Sequence, residues 1–167
     1  MGTQSRFERL PDEWLRCAEG GTKASHESTK SKKGGNMIRL EQRLDDALEH
    51  LIHTTIGCCI SVHRALGPGL LESIYRKAIC LELGACGLSY ETEKMIPVTY
   101  REVLLCRQRL DLVVDQKLVL EIKSVERLAP VHHAQVRSYL RASGMRVGLL
   151  INFNVPLLPD GIRRIVC

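Results

Sequence analysis

Three charged side chains interrupt two apolar segments of the sequence, which meet at Gln116. Asp111 lies in the first segment, and Glu121 and Lys123 lie in the second. Residues two apart in a strand point to the same face, so Glu121 and Lys123 share one face. If the chain turns at Gln116, Asp111 lies opposite Glu121, with β-carbons about 4.5–5.5 Å apart. The pattern therefore predicts two carboxylates and one ammonium group close together.

Two carboxylates at that distance repel each other unless a proton or a cation lies between them. Mg²⁺ prefers oxygen ligands and commonly binds one or two carboxylates, waters and a substrate phosphate. The alternative is a solvated cluster on two strands, in which Lys123 and Arg109 neutralise the two acids without any metal. Spacing alone leaves both interpretations open.

A further carboxylate, Glu72, lies near the start of a predicted helix. It falls on the same side as Tyr75 and Ile79, at offsets of three and seven residues. This spacing places Glu72 on the apolar stripe that faces the sheet. The alternative is an acid at the helix start, where the positive end of the helix dipole stabilises it.

A later helix carries polar side chains along one face. His132, Gln135 and Tyr139 follow one another at offsets of three and seven residues. A Gln and a Tyr one turn apart are also compatible with a half-buried structural pair. We interpret His132, and His63 in an earlier helix, as structural residues, as histidines on helix faces usually are.

These side chains need an α/β framework to hold them. Spacings of three and four residues predict helices, and Val-, Leu- and Ile-rich runs predict strands. In the first pair of strands, Leu110 is expected on the same face as Leu112 and Val114. The order helix, helix, three strands, helix, strand predicts a meander followed by a crossover, hence a mixed sheet flanked by helices. The predicted elements are helices at 38–66, 70–83 and 130–142, strands at 95–100, 103–115, 117–125 and 146–152, and a short final segment at 162–166.

Composition limits the class of protein. The chain has 167 residues, 44% of them hydrophobic, and a net charge of +5, so it is long enough for one domain with a core and only mildly basic. Residues 1–36 are rich in Ser, Thr, Lys and Gly, and we expect a disordered extension there. Residues 37–167 are expected to form the folded domain.

The cysteines and the hydropathy indicate a cytoplasmic protein. The seven cysteines are odd in number, two are adjacent, and none has C-x-x-C or zinc-ligand spacing, so we expect reduced thiols. No stretch approaches the roughly 18 apolar residues that a membrane span needs. We therefore expect no membrane partner.

The polar residues, taken in order, carry a resemblance. On helix, strand, strand and helix, the ordered set resembles the PD-(D/E)XK nuclease superfamily, and Gly69–Tyr75 looks like the signature of its bacterial GxxExxY branch. The segments 62–69, 109–114, 149–156 and 160–165 are similar to that branch as well. The ordered set is Glu72, Asp111, Glu121-Ile122-Lys123 and Gln135-x-x-x-Tyr139.

The resemblance implies a fold, a reaction and a cofactor. The fold is a restriction-endonuclease-like α-β-β-β-α-β core with an extra N-terminal helix, and the reaction is hydrolysis of a phosphodiester bond. Asp111 and Glu121 would hold Mg²⁺ or Mn²⁺, with Glu72 as a further acidic ligand. One departure from the family pattern is that Leu110, and not a proline, precedes Asp111.

The resemblance also implies roles for the other polar residues. Lys123 would orient or deprotonate the attacking water and help to neutralise the developing charge. Gln135 and Tyr139 would position the substrate or the water. The expected substrate is nucleic acid, DNA in preference to RNA, with a homodimer or a targeting partner as a further expectation. The alternative is a catalytically silent module of the same fold that binds nucleic acid or a protein partner.

Overall fold

The computed structural model describes residues 44–167. The predicted disordered extension, the boundary at residue 36 and the first residues of the predicted helix 38–66 lie outside this range. Within it, four helices and five strands follow one another. They are α1 (Asp46–Leu66), α2 (Glu72–Ala85), β1 (Tyr90–Tyr100), β2 (Val103–Val114), β3 (Leu118–Lys123), α3 (Pro130–Ser143), β4 (Val147–Asn152), α4 (Leu158–Gly161) and β5 (Ile162–Val166).

The five strands form one mixed sheet in the order β1-β2-β3-β4-β5. The first three strands pair antiparallel, as a meander of neighbouring strands. Helix α3 then crosses over and returns the chain as β4, parallel to β3, and β5 pairs antiparallel with β4. The predicted α/β fold is confirmed: an α-β-β-β-α-β order with a mixed sheet, preceded by the additional helix α1.

Two apolar clusters lie on opposite sides of the sheet. Helices α1 and α2 cover the first cluster, in which the rings of Tyr75 and Phe153 stack with their centroids 4.3 Å apart. Helix α3 covers the second cluster with Val136, Tyr139 and Leu140. Because the sheet has a helix layer on both sides, β3 and β4 are buried on both faces.

The first two helices begin later than the sequence suggested. The Asp45 side chain accepts a hydrogen bond from Leu48 N at 2.8 Å, so α1 starts at Asp46 and Leu44 precedes it. Leu71 has an extended backbone, so α2 starts at Glu72 and not at residue 70. Apolar periodicity continues past a helix end, and only the capping geometry fixes the first residue.

The β2–β3 register agrees with a turn centred on Gln116. Val113 pairs with Val119, and Leu112 pairs with Leu120. The predicted common face of Leu110, Leu112 and Val114 is wrong, however. Leu112 and Val114 pack in the first cluster and Leu110 in the second, so the alternation breaks at Asp111.

The strand lengths also differ from the prediction. Strand β1 begins at Tyr90, five residues earlier than expected, and β3 is confined to Leu118–Lys123. Most of β2 pairs only with β1, because its pairs with β3 stop at Leu112. The β1–β2 hairpin therefore extends beyond the body of the sheet, and Leu104 and Leu105 near its tip are exposed.

Gly148 of β4 allows helix α3 to lie close to the sheet. A β-carbon at this position would lie 2.8 Å from Val136 Cγ1 and 3.5 Å from Leu140 Cδ2. Helix α3 can therefore approach β4 only because this residue has no side chain. Within residues 44–167, no helix is both long enough and apolar enough to cross a membrane.

Candidate active site

Asp111 lies where β2 separates from β3. Its Oδ2 atom accepts a hydrogen bond from the backbone N–H of Ile122 at 2.9 Å. Its Oδ1 atom forms a long ion pair, 3.5 Å, with Nη1 of Arg76 on α2. The carboxylate is thus held between β3 and α2, at the break in the alternation of β2.

Glu121 is the buried acid of the site. Its side chain is 3% exposed, and Oε1 accepts a hydrogen bond from Lys123 Nζ at 2.7 Å. Its second oxygen, Oε2, is buried and has no hydrogen-bond partner among residues 44–167. A buried carboxylate oxygen without a donor is costly, and a cation or a proton would remove that cost.

The electrostatic surroundings of Glu121 favour its protonated form. Burial, and then the negative charge of Asp111, raise the pKa of the Glu121 carboxyl group from 4.5 to about 7. The hydrogen bond and positive charge of Lys123 oppose this rise but do not cancel it. The carboxyl group of Glu121 therefore keeps its proton to a higher pH than an exposed glutamate does.

Lys123 retains its proton in this environment. Burial lowers the pKa of the Lys123 ammonium group, but the hydrogen bond to Glu121 and the charges of Glu121, Glu72 and Asp111 outweigh burial and raise it overall. In this state Lys123 is a hydrogen-bond donor and a positive charge, not a base.

Glu72 reaches the site from the first residue of α2. It is exposed, whereas Tyr75 and Ile79 are fully buried, so its predicted place on the buried apolar stripe is wrong. The helix begins at Glu72, and its first turn lies at the rim of the sheet. Glu72 Oε1 accepts a hydrogen bond from Ser124 N at 3.1 Å, directly after β3.

Ser124 ties the end of β3 to the loop before α2. Its hydroxyl donates to Leu70 O at 2.7 Å, while its backbone N–H donates to Glu72. Next to it opens a cleft of about 340 Å³, whose lining includes Gly69, Leu71 and Asn154. Through Ser124, Glu72 is held beside the C-terminal end of the strand that carries Glu121 and Lys123.

Gln135 and Tyr139 form a hydrogen-bonded pair on α3. Gln135 Nε2 donates to the Tyr139 hydroxyl at 2.5 Å. Burial raises the pKa of the Tyr139 phenol, Gln135 lowers it, and the negative charge of Glu121 raises it further. The phenol therefore stays protonated within the electrostatic reach of Glu121.

Both histidines considered from the sequence make structural hydrogen bonds. His132 Nδ1 accepts from the backbone N–H of Ala129 at 3.1 Å and so caps the start of α3. His63 Nε2 lies 2.9 Å from Val155 O and joins α1 to the loop after β4.

Sequence reasoning missed Arg76. Its guanidinium group lies between two acids, 3.5 Å from Asp111 and 3.2 Å from Glu93. The available signal was its position four residues after Glu72, on the same side of α2. Arg109, which the metal-free alternative placed with the site acids, pairs with Glu93 at 3.2 Å.

Sequence reasoning also missed Asn152, the last residue of β4. It is 2% exposed, and its side-chain amide donates to Val125 O at 2.8 Å and accepts from Val125 N at 3.0 Å. It therefore fixes the chain just after Lys123, its neighbour in the parallel ladder. A polar residue ending an apolar run was the available signal.

Four of the candidate residues lie near the carboxyl ends of the parallel strands β3 and β4. They are Glu72, Asp111, Glu121 and Lys123. Their carboxylate oxygens are hard donors of the kind that Mg²⁺ prefers, and the orphaned Glu121 Oε2 fits such an ion. However, residues 44–167 contain no group of three or more His, Cys, Asp or Glu side chains at metal-ligand spacing. The fit to a metal therefore rests on Asp111 and Glu121, with Glu72 close by.

A larger cavity, of about 620 Å³, lies away from this site. Its lining includes Lys94, Gln116, Met145 and Arg146, and none of the six residues singled out for catalysis or metal binding. Because Lys117 and Arg146, just before β3 and β4, line it, this cavity is at the opposite ends of the parallel strands.

Comparison with known proteins gave one match. The family model described as PD-(D/E)XK nuclease superfamily matches residues 49–165, which is most of the chain and includes all six candidate residues. No curated protein and no solved structure matches the chain.

Proposed function

The chain belongs to the PD-(D/E)XK nuclease superfamily, and from that premise we propose that it is a metal-dependent phosphodiesterase that hydrolyses nucleic acid. The observation that carries the proposal is the Asp111–Glu121–Lys123 arrangement, in which a buried carboxylate keeps one oxygen without a partner beside a second acid and an ammonium group. Nothing in apolar packing calls for such an arrangement, since isolated buried charge is costly.

In this proposal Asp111 and Glu121 hold Mg²⁺ or Mn²⁺, and Glu72 is a further acidic ligand. The unpartnered oxygen of Glu121 and the raised pKa of its carboxyl group support a cation site at this position. When bound, a divalent cation lowers the pKa of water and offsets the negative charge of the phosphate.

Lys123 has the orienting and charge-neutralising role in this proposal. Its ammonium group can donate to a water or to a phosphate oxygen while it still contacts Glu121. The raised pKa of the Lys123 ammonium group supports this role. The family resemblance also implies deprotonation of the attacking water by Lys123, and that role stays a prediction.

Gln135 and Tyr139 position the substrate or the water. A protonated phenol and a primary amide supply donors without adding charge next to a polyanion. The short hydrogen bond between them fixes the orientation of both groups. His132, which caps the same helix, holds its first turn in place.

The finer features of the proposal rest on the family resemblance. They are a preference for DNA over RNA, membership of the GxxExxY branch, homodimerisation or a targeting partner, and a cytoplasmic location. The intact Gly69–Tyr75 segment supports the branch, and its Tyr75 hydroxyl donates to Gly67 O, just before the segment, at 2.7 Å. A nuclease screen with matched DNA and RNA substrates tests the first of these features.

One observation favours a catalytically silent module as the second candidate. Arg76 pairs with Asp111, and Lys123 pairs with Glu121, so each of these two acids has a protein cation within 4 Å. A site whose acids are neutralised internally has less need of a metal. The two candidates differ in whether a divalent cation binds at this position.

The first experiment is a calorimetric titration of Mg²⁺ and Mn²⁺ into the full chain, the Asp111→Asn and Glu121→Gln variants, and the control Glu102→Gln. Glu102 is an exposed acid in the β1–β2 turn, so its variant removes the same charge away from the site. We expect binding in the native chain and in the control, and at least a tenfold weaker affinity in both site variants. Equal affinity in all four proteins, or no binding by a folded native chain, would favour the silent module.

The second experiment measures cleavage of duplex DNA, single-stranded DNA and RNA. We expect activity that needs Mg²⁺ or Mn²⁺, falls at least a hundredfold in Lys123→Met, and is unchanged in the control variant. A folded native chain that binds the metal but cleaves none of these substrates would contradict the catalytic proposal.

A further inference from the structure

Two cysteines from different helices are in contact. Cys58 lies in the middle of α1, and Cys86 is the C-terminal cap of α2. Their sulfur atoms are 3.6 Å apart, although the residues are 28 positions apart in the chain. A disulfide bond needs about 2.05 Å between the sulfurs, so closure requires the two sulfur atoms to approach by roughly 1.5 Å.

The two thiols differ in their access to solvent. Cys58 is buried, and burial followed by the hydrogen bond with Cys86 raises the pKa of its thiol to about 12. Cys86 is exposed at the end of its helix. A reagent from solvent therefore reacts with Cys86 first, because Cys58 is buried and inaccessible to it.

The other described cysteines lack this arrangement. Cys59 is fully buried, Cys80 is half-buried, and Cys106 and Cys167 are exposed on strand β2 and at the last residue. An accessible thiol with a buried thiol in contact is the usual pairing of an attacked and a resolving cysteine.

We propose that Cys58 and Cys86 are a reversible disulfide site that a low-molecular-weight disulfide oxidises. The Cys86 thiolate attacks one sulfur of the reagent RSSR, so that a Cys86–SR mixed disulfide forms and RS⁻ leaves with a proton from solvent. The Cys58 sulfur, after its proton passes to solvent, attacks the Cys86 sulfur and displaces the second RS⁻. In total, two protein thiols and RSSR give one protein disulfide and two RSH.

The bond would join α1 to the end of α2. Helix α2 carries Glu72 and Arg76 in its first two turns, so oxidation fixes the element that brings both side chains to the site edge. The crosslink closes a loop of about 30 residues and restricts the unfolded chain. We expect the reduced and oxidised proteins to differ in stability more than in fold.

The experiment treats the reduced full chain with oxidised glutathione. Intact mass and peptide mapping without reductant should show the loss of two hydrogen atoms and a crosslink between the peptides of Cys58 and Cys86. Thermal unfolding should shift upward by roughly 5–10 °C, and dithiothreitol should reverse both changes. Mapping covers all seven cysteines, including Cys17, which lies outside the described residues.

Matched variants decide the assignment. Cys86→Ser, at an exposed position where folding should be unaffected, should lose the crosslink and the thermal shift, and Cys106→Ser should keep both. A persistent glutathione adduct on Cys86, a crosslink between other cysteines, or a dimer linked through Cys86 would overturn the proposal. Circular dichroism of each reduced variant confirms that it is folded, so that loss of the crosslink reports on the missing thiol.

Discussion

The carboxyl group of Glu121 is buried next to another acid, and this has a consequence for stability without any metal. Its pKa rises from 4.5 to about 7 because of burial and, next, because of the charge of Asp111. An acid whose pKa is higher in the folded state contributes stability that is fully present below pH 4.5. That contribution is lost as the pH rises through 7, where the folded protein must ionise the group.

Glu121→Gln should remove this dependence. Between pH 4.5 and 8, the free energy of unfolding of the native chain should fall relative to that of the variant by up to roughly 3 kcal/mol, since one pKa unit is about 1.4 kcal/mol. Urea unfolding in the presence of EDTA at several pH values measures this difference. Glu102→Gln should follow the native chain at every pH. Parallel curves for native chain and Glu121→Gln would show that Glu121 does not titrate in this range.

Lys123→Met should lower the free energy of unfolding, because it removes the ion-pair partner of the buried Glu121 carboxylate. Removing one member of a buried ion pair is commonly destabilising by about 3 kcal/mol, because the remaining charge is uncompensated. The double variant Lys123→Met/Glu121→Gln should regain most of that loss at pH 8. A four-protein thermodynamic cycle by urea unfolding measures the coupling, and strictly additive effects would contradict it.

At the scale of residues, alternation and register predicted that Asp111, Glu121 and Lys123 gather. The same rules could not predict the partner of Asp111, because Arg76 reaches it through the packing of α2 on the sheet. They also placed Leu110 on the wrong face, because a break in alternation leaves no mark in an apolar run. The catalytic and metal-binding roles of the six residues stay predictions.

At the scale of elements, the position of α3 depends on Gly148. We expect Gly148→Ala to destabilise the protein by about 1–3 kcal/mol, because its β-carbon would lie 2.8 Å from Val136 Cγ1 and push the helix outward. Urea unfolding measures the cost. Since α3 carries Gln135 and Tyr139, a fall in any nuclease activity should accompany it.

Gly84→Ala is the matched control for this substitution. Gly84 lies within α2, and a β-carbon there would meet nothing within 4 Å. The variant should be more stable than the native chain by about 0.5–1 kcal/mol, because alanine favours the helix. An equal effect of both substitutions would show that the contact with Val136 is unimportant.

The sequence predicted which elements are helices and strands and their order along the chain. It did not predict several of the residues at which these elements begin or end. Turns at Arg101–Glu102 and Asp115–Gln116 use left-handed backbone without any glycine, so the usual turn residues give no signal there. The second of these turns was predictable only because the apolar patterns on its two sides mirror each other. Strand β1 was predicted too short because polar residues occupy its first half.

At the scale of the whole molecule, an ion pair joins the last strand to the first helix. The guanidinium group of Arg164 on β5 contacts both carboxylate oxygens of Glu49 on α1, at 2.9 and 2.5 Å. Arg164→Met should cost about 0.5–1 kcal/mol, because the pair is bidentate but partly exposed to solvent. The loss should shrink in 1 M salt (an estimate from screening), and a salt-independent loss would assign it to packing of the side chain.

The topology of the molecule was predictable because the order of its elements is compatible with few ways of connecting the strands. Three neighbouring strands pair as a meander, and a strand after a helix returns parallel to a strand of the same sheet. The antiparallel fifth strand was not predicted as a strand, since residues 162–166 alone could equally be a short loop or tail.

The three-residue turn between β2 and β3 also bears on how the chain folds. Asp111 and Glu121 are ten residues apart, so the hairpin that brings them together costs less chain entropy than the contacts that bring α2 and α3 to the site. Hairpins form in about 1–10 μs. Helices α2 and α3 join through longer loops. The two acids therefore approach each other before the transition state of folding is reached, and their repulsion raises the barrier to folding. Protonation of Glu121 removes this repulsion, so it should increase the refolding rate more than it decreases the unfolding rate. Stopped-flow refolding at pH 5 and pH 8 measures this, and a pH effect confined to the unfolding rate would mean that the hairpin closes late.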